Sequence, residues 1–197
     1  MSIVLASASR VRRALLEDAG VDITVDAAAI DEAAIKESLG ASGATPAAMA
    51  ETLAELKAQR ISPRYPGRIV VGADQILECA GSLFDKPADL AAARVQLQAL
   101  RGRKHRLLSS VVALRDGSRL WHHTGEAVLT MRDFSDAFLD RYLATVGPKA
   151  CQSVGAYQLE ARGAQLFSAV EGDYFTVLGL PLLALLGFLR AQGELGA

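Results

Sequence analysis

The stretch Arg68–Glu78 reads RIVVGADQILE. Its Ile and Val content predicts a central strand, turning near Gly81 into a second short one. An acid, Asp74, stands in this apolar run beside the small residues Gly72 and Ala73. Packing explains such an acid poorly, because a buried carboxylate needs a partner, a metal or a shifted pKa. A turn at the end of the strand is the bland alternative.

Working outward, helical and strand patterns alternate. Ser2–Ala6 predicts a short buried strand. Val11, Leu15, Leu16 and Ala19 recur at helical spacing, with Gly20 as a stop. Val21–Val25 alternates and predicts a second strand. Thr45 and Pro46 open a helix with cap and first-turn proline chemistry, and Met49, Leu53 and Leu56 form its apolar stripe. Ser62–Gly67 reads as a loop. Asp89 caps a helix whose stripe includes Leu90, Leu97 and Leu100. His105–Arg115 and Arg119–Arg132 predict long strands joined at Asp116-Gly117, a hairpin turn. Ser135 begins an amphipathic helix with Phe134, Phe138, Leu139, Tyr142, Leu143 and Val146 on one side, ended by Gly147-Pro148. A glycine-punctuated stretch, Gly155–Gly179, precedes a last helix from about Leu182 to Arg190. The expected fold is α/β, a mixed twisted sheet flanked by helices, with residues 1–197 as a single domain.

Composition narrows the function. The chain has 197 residues, net charge −1 and 51% hydrophobic residues, which excludes a disordered chain and suffices for a core without staples. Near-neutral charge argues against a nucleic-acid partner. Cys79 and Cys151 are the only cysteines; they suggest neither a disulfide framework nor a zinc site, and they fit a reducing compartment. The most apolar run, Val177–Leu189, is shorter than the ~20 residues of a membrane span. The initial apolar run precedes its arginines, the reverse of a secretory signal. The expectation is a cytoplasmic protein with no membrane partner.

Several short segments carry candidate chemistry. Ser7-Ala8-Ser9-Arg10-Val11-Arg12-Arg13 lies between a strand and a helix, where backbone N–H groups and the helix N-terminus suit an anion. Arg12 and Arg13 add guanidinium forks for phosphate oxygens. The alternative is a capped helix with solvated arginines. Asp31-Glu32 reads in isolation as an exposed acidic loop, Asp85-Lys86-Pro87 as a turn, and Lys57 as a solvated helical lysine. Together these residues supply amides and cations for phosphates and carboxylates for a divalent cation. That combination fits metal-assisted phosphoanhydride chemistry.

In order along the chain stand LASAS with Arg12, Leu15 and Leu16, then IDE at Ile30–Glu32, LAELKA at Leu53–Ala58, GADQ at Gly72–Gln75 and DKP at Asp85–Pro87. They continue with GRKH at Gly102–His105, GAYQLEARGAQLF at Gly155–Phe167 and EGDYFTVLGLPL at Glu171–Leu182. This order resembles the Maf family of nucleoside triphosphate pyrophosphatases across nearly the whole chain. The resemblance implies a fold like that of inosine-triphosphate pyrophosphatases, with two lobes around a cleft, and frequently a homodimer. It implies a hydrolase that splits a nucleoside triphosphate into the monophosphate and pyrophosphate, with Mg²⁺, Mn²⁺ or Co²⁺ as cofactor. By position, Asp74 becomes the proton acceptor or metal-linked carboxylate and Glu32 helps place the cation. Lys57 and Lys86 neutralise phosphate charge, while Ser7, Ser9, Arg12 and Arg13 form the phosphate-binding segment.

Three positions bear on substrate choice. The usual family start is SxSPRRxxLL, whereas Arg10 and Val11 stand here in place of Pro and the first Arg. Gln75 replaces the usual threonine of GADT, and Glu160 stands where the dTTP/UTP-cleaving branch carries glutamine. These changes at Val11, Gln75 and Glu160 resemble the 7-methyl-GTP branch, although that branch has an aromatic residue at the Val11 position. A carboxylate accepts hydrogen bonds from a guanine's N1–H and N2 amino group and attracts the charge of an N7-methylated base. The alternatives are a pyrophosphatase for dTTP, UTP or inosine triphosphate, and a nucleotide-binding regulator of septum formation without turnover.

Overall fold

The computed structural model describes residues 2–196. It is the expected mixed α/β fold. Its elements are β1 (Ile3–Leu5), α1 (Arg10–Asp18), β2 (Ile23–Val25), α2 (Glu32–Ala41), α3 (Pro46–Ile61), β3 (Ile69–Cys79) and β4 (Ser82–Phe84). Then come α4 (Leu90–Leu100), β5 (Lys104–Arg115), β6 (Ser118–Met131), α5 (Asp136–Val146), β7 (Phe167–Gly172), α6 (Tyr174–Val177) and α7 (Leu182–Ala191). The strands hydrogen-bond in the order β2-β1-β3-β5-β6-β7, and β4 pairs with β3. β1 is parallel to both β2 and β3, whereas β4 and β7 are antiparallel to their neighbours.

Local chemistry explains most boundaries. The side chains of Ser9, Thr45, Asp89 and Ser135 each accept a backbone N–H in the first turn of α1, α3, α4 and α5. Such caps satisfy donors that the helix itself cannot. Asp116 and Gly117 join β5 to β6 with φ of +51° and +76°, the left-handed pair that a two-residue hairpin demands.

The chain forms two compact units. The first holds 2–75, Leu108–Gly125 and 179–196, and the second holds Ile76–Leu107 and Glu126–Leu178. In the first unit Val4, Val70, Val112 and Leu114 of the strands pack with Ala54, Ala58 and Ile61 of α3. In the second, Leu97 and Leu100 of α4, Leu129 and Met131 of β6, and Leu139 and Leu143 of α5 share one core.

Two expectations need correction, and one stretch that the sequence left unassigned takes on structure. Asp31-Glu32 is not a loop: Asp31 caps α2, with Oδ1 accepting the Ala34 N–H at 3.1 Å, and Glu32 begins the helix. No residue of α2 is buried, so the helix carries no apolar stripe to betray it. The stretch Gly155–Gly179 contains a strand, β7, and a short helix, α6. Leu90 is 40% exposed, and α4 buries Ala93, Leu97 and Leu100 instead.

Candidate active site

Gly72 is where the site is set. A Cβ at Gly72 would lie 2.0 Å from the Ala54 carbonyl oxygen, so only glycine lets β3 approach the backbone of α3 this closely. Side chains two apart on a strand share a face, and those three apart on a helix are neighbours. Asp74 and Lys57 therefore meet just beyond that contact. Lys57 Nζ donates to Asp74 Oδ1 at 2.6 Å and lies 2.7 Å from Glu32 Oε1. The lysine expected to be solvated is buried, as is Asp74, while Glu32 is 44% exposed at its side chain. Burial alone would raise the Glu32 pKa. The hydrogen bond and charge of Lys57, with Lys36 and Arg12, outweigh it and hold the carboxyl below its ordinary value. Asp74 Oδ2 is buried and has no hydrogen-bond partner among the described residues.

Arg12 knits the first loop to the same place. Its Nε donates to the Gly179 carbonyl at 2.7 Å, and Nη1 donates to Ser7 Oγ at 3.1 Å and to the Ala73 carbonyl at 2.9 Å. Burial lowers the pKa of this guanidinium, opposed by the charges of Asp74 and Glu32. The Ser7 and Ser9 hydroxyls accept the N–H groups of Ser9 and Arg12. Gly179 has φ of +93°, and a Cβ there would lie 3.5 Å from the Arg12 guanidinium and 3.6 Å from Gln75 Oε1. Gln75 donates to Ser109 Oγ at 3.0 Å.

The structure thus gathers Ser7, Arg12, Glu32, Lys57 and Asp74 within the first unit. Arg13 is not part of this cluster: it is exposed and pairs with Glu17 at 2.8 Å, one helical turn on. Val11 is half-buried on α1. Lys86 and Glu160 belong to the second unit and are both exposed. The loop before α4 is tied by Gln96 Nε2 donating to the Asp85 carbonyl at 2.8 Å. Sequence reasoning missed the structural work of Gly72 and Gly179 and the influence of Lys36. Lys36 stands four residues after Glu32, a helical spacing that becomes visible once α2 is recognised.

The family model for Maf-like proteins matches residues 2–192. The chain belongs to the Maf family. It is 60% identical to the "nucleoside triphosphate pyrophosphatase" of Paramagnetospirillum magneticum, over 98% of this chain and 99% of that one. It is 54% identical to a protein of the same name from Granulibacter bethesdensis, over 99% of each chain. A "7-methyl-GTP pyrophosphatase" of Rhizobium johnstonii is 51% identical, over 99% of this chain and 96% of that one.

The Maf cluster can be tested as a cation site from its own donors. Among the described residues no group of three His, Cys, Asp or Glu side chains is placed to hold a metal, so an all-protein cage does not fit. A magnesium-type ion does fit, because it takes one or two carboxylates and completes its shell with water and phosphate oxygens. The buried, unbonded Asp74 Oδ2 and the half-exposed Glu32 are the oxygens suited to it. Among the described residues no helix is long and apolar enough to cross a membrane.

Proposed function

We propose that this Maf protein hydrolyses a nucleoside triphosphate to the monophosphate and pyrophosphate. The observation that carries this is the buried Asp74, with one oxygen paired to Lys57 and the other left without a partner. An oxygen so held is a ready proton acceptor, and the pairing keeps its orientation fixed. The amides at the start of α1, with Ser7 and Ser9, receive the polyphosphate. Arg12 has its Nε and Nη1 committed to protein acceptors, so it acts by holding this loop and by its charge. Arg13 contributes charge at the same helix end.

In the reaction a water oxygen forms a bond to the α-phosphorus. The bond from that phosphorus to the α,β-bridging oxygen breaks, and pyrophosphate leaves with its electron pair. The water's proton passes to Asp74 Oδ2. Lys57 holds Asp74 and Glu32 in place, and Lys86 is assigned to neutralising phosphate charge on the strength of its motif. Glu32 would hold a divalent cation, Mg²⁺, Mn²⁺ or Co²⁺, which when bound offsets phosphate charge and orients the phosphate oxygens. Asp74, whose Oδ1 is paired to Lys57 and whose Oδ2 takes the proton, is the alternative metal-linked carboxylate. Positioning and charge stabilisation supply most of the acceleration.

For the substrate we favour 7-methyl-GTP, with Glu160, Gln75 and Val11 as selecting residues. The carboxylate of Glu160 matches the donors of guanine and the positive charge of the methylated ring. The aliphatic Val11 favours a second reading, a pyrophosphatase acting also on dTTP, UTP or inosine triphosphate, since it offers no aromatic face for a cationic base. The working form is taken to be a cytoplasmic homodimer of single, two-lobed domains. The test is a screen of purified protein across nucleoside triphosphates with each cation, measuring pyrophosphate against orthophosphate. Pyrophosphate as first product is expected. Orthophosphate first would overturn the mechanism, and tight binding without turnover would favour a septum regulator.

A further inference from the structure

The loop that carries Glu160 has its own anchoring problem. Its internal bonds are local, from the Ala161 N–H to the Gln158 carbonyl at 3.2 Å and from the Ala164 N–H to the Ala161 carbonyl at 3.1 Å. Those bonds shape a turn, and within it Leu159 packs against the core of the second unit. Its exit is tied, because Arg132 donates through its backbone N–H to the Leu166 carbonyl and through Nε to the Gln165 carbonyl, both at 2.8 Å. Its entry is tied by Tyr157 and its neighbours. The ring of Tyr157 is buried, and its hydroxyl lies 2.7 Å from Nε2 of the buried His105 on β5. Phe167 packs edge-on against Tyr157, with centroids 4.7 Å apart, and against His105 at 5.8 Å. The Tyr157 carbonyl accepts from Ser153 Oγ, and the Ala156 carbonyl accepts from Tyr142 Oη at 3.4 Å.

We propose that His105 and Tyr157 are a positioning pair that fixes the loop 155–163 and, through it, the Glu160 carboxylate that selects the base. The second half of this statement rests on the assignment of Glu160 made above. His105 Nδ1 is buried and has no hydrogen-bond partner among the described residues. An apolar ring would fill the same space without that penalty, so what histidine adds is its bond to Tyr157. The loop is also packed to leave no slack. Gly155 has φ of +75°, and a Cβ there would lie 2.6 Å from the Tyr157 ring. A Cβ at Gly163 would lie 2.4 Å from the Gln158 carbonyl oxygen. Glu160 sits three residues beyond Tyr157 and is exposed, so its direction follows from how the loop enters and folds back. Burial pushes the His105 pKa down to about 4, which keeps the ring neutral and the bond intact near neutral pH.

The test compares Tyr157→Phe, which removes only the hydroxyl, with the intact protein. Hydrogen exchange of the amides 158–163 is expected to accelerate about tenfold, while core amides of β5 are unchanged. The KM for 7-methyl-GTP is expected to rise about tenfold with kcat within about twofold, a loss of uniform binding. The preference over dTTP narrows, and the double variant Tyr157→Phe/Glu160→Gln selects no worse than Glu160→Gln alone. His105→Gln, which keeps a polar partner for the tyrosine, recovers part of what His105→Leu loses. Unchanged exchange at 158–163 overturns the proposal whatever the kinetics show. Faster exchange with the preference intact, while Glu160→Gln alters it, overturns the link from loop to selection. An unaltered ranking in Glu160→Gln overturns the assignment of Glu160 itself, on which the exchange result does not depend.

Discussion

Gly72 and Ala54 meet backbone to backbone, with the Ala54 carbonyl oxygen 2.0 Å from where a Gly72 Cβ would stand. Nothing flexible lies in that contact, so a methyl group must move α3 away from β3. Moving α3 takes Lys57 from Asp74. Gly72→Ala is expected to destabilise the protein by roughly 2–4 kcal/mol and to lose most turnover. Urea unfolding and a pyrophosphate assay measure both, and a variant with wild-type midpoint and rate would break the link between this contact and the site.

Asp74→Asn tests the proton acceptor. The amide keeps the size of the carboxylate and an oxygen for Lys57. The fold should survive, as judged by circular dichroism, while turnover falls about 10²–10⁴-fold. Turnover within a few-fold of wild type would remove Asp74 from the mechanism.

Lys57 faces the opposite test. Lys57→Met leaves a buried carboxylate and its half-exposed neighbour without their shared cation. Removing one partner of a buried pair costs about 3–5 kcal/mol. The double variant Lys57→Met/Asp74→Asn should recover part of that loss. Equal midpoints for the single and double variants would show that the pair is not the source of the cost.

The second unit supplies a pH dependence. His105 has a folded-state pKa of about 4 against an ordinary 6.5. Between those values the unfolded chain binds a proton that the folded chain refuses, so stability falls as pH drops from 6.5 towards 4. That difference of about 2.5 units corresponds to roughly 3 kcal/mol. Glu32 acts in the same direction lower down. Its depressed pKa gives stability that is present above the ordinary carboxylate value and lost as pH falls through the folded one. Unfolding free energies measured at several pH values should decline less steeply in His105→Gln than in wild type. Parallel curves would refute the assignment to His105.

Arg12→Lys separates charge from geometry. A lysine cannot reach the Gly179 and Ala73 carbonyls and the Ser7 hydroxyl together, as the planar guanidinium does. We expect a loss of roughly 2–3 kcal/mol, the scale of a hydrogen bond to a charged group, and a raised KM. Calorimetry and kinetics report each. An unchanged Tm would mean that charge alone suffices at this position.

Sequence by itself determined the period of each strongly amphipathic element and where those elements begin. Ser9, Thr45, Asp89 and Ser135 cap the helices they precede, and Asp116-Gly117 turns the hairpin, because these effects act over a few neighbouring residues. The motif order also placed the chain in its family. Sequence left α2 and β7 unread, since α2 buries no residue and β7 is largely exposed, and periodicity reports only burial. Tertiary structure alone decided that Lys57, 17 residues from Asp74 in the chain, is a buried partner and not a solvated side chain. It also decided that Arg12 spends Nε and Nη1 on two backbone carbonyls and the Ser7 hydroxyl. Both outcomes follow from close packing of α3 on β3 and of the first loop on the Gly179 turn, where the low dielectric makes each charge find a partner.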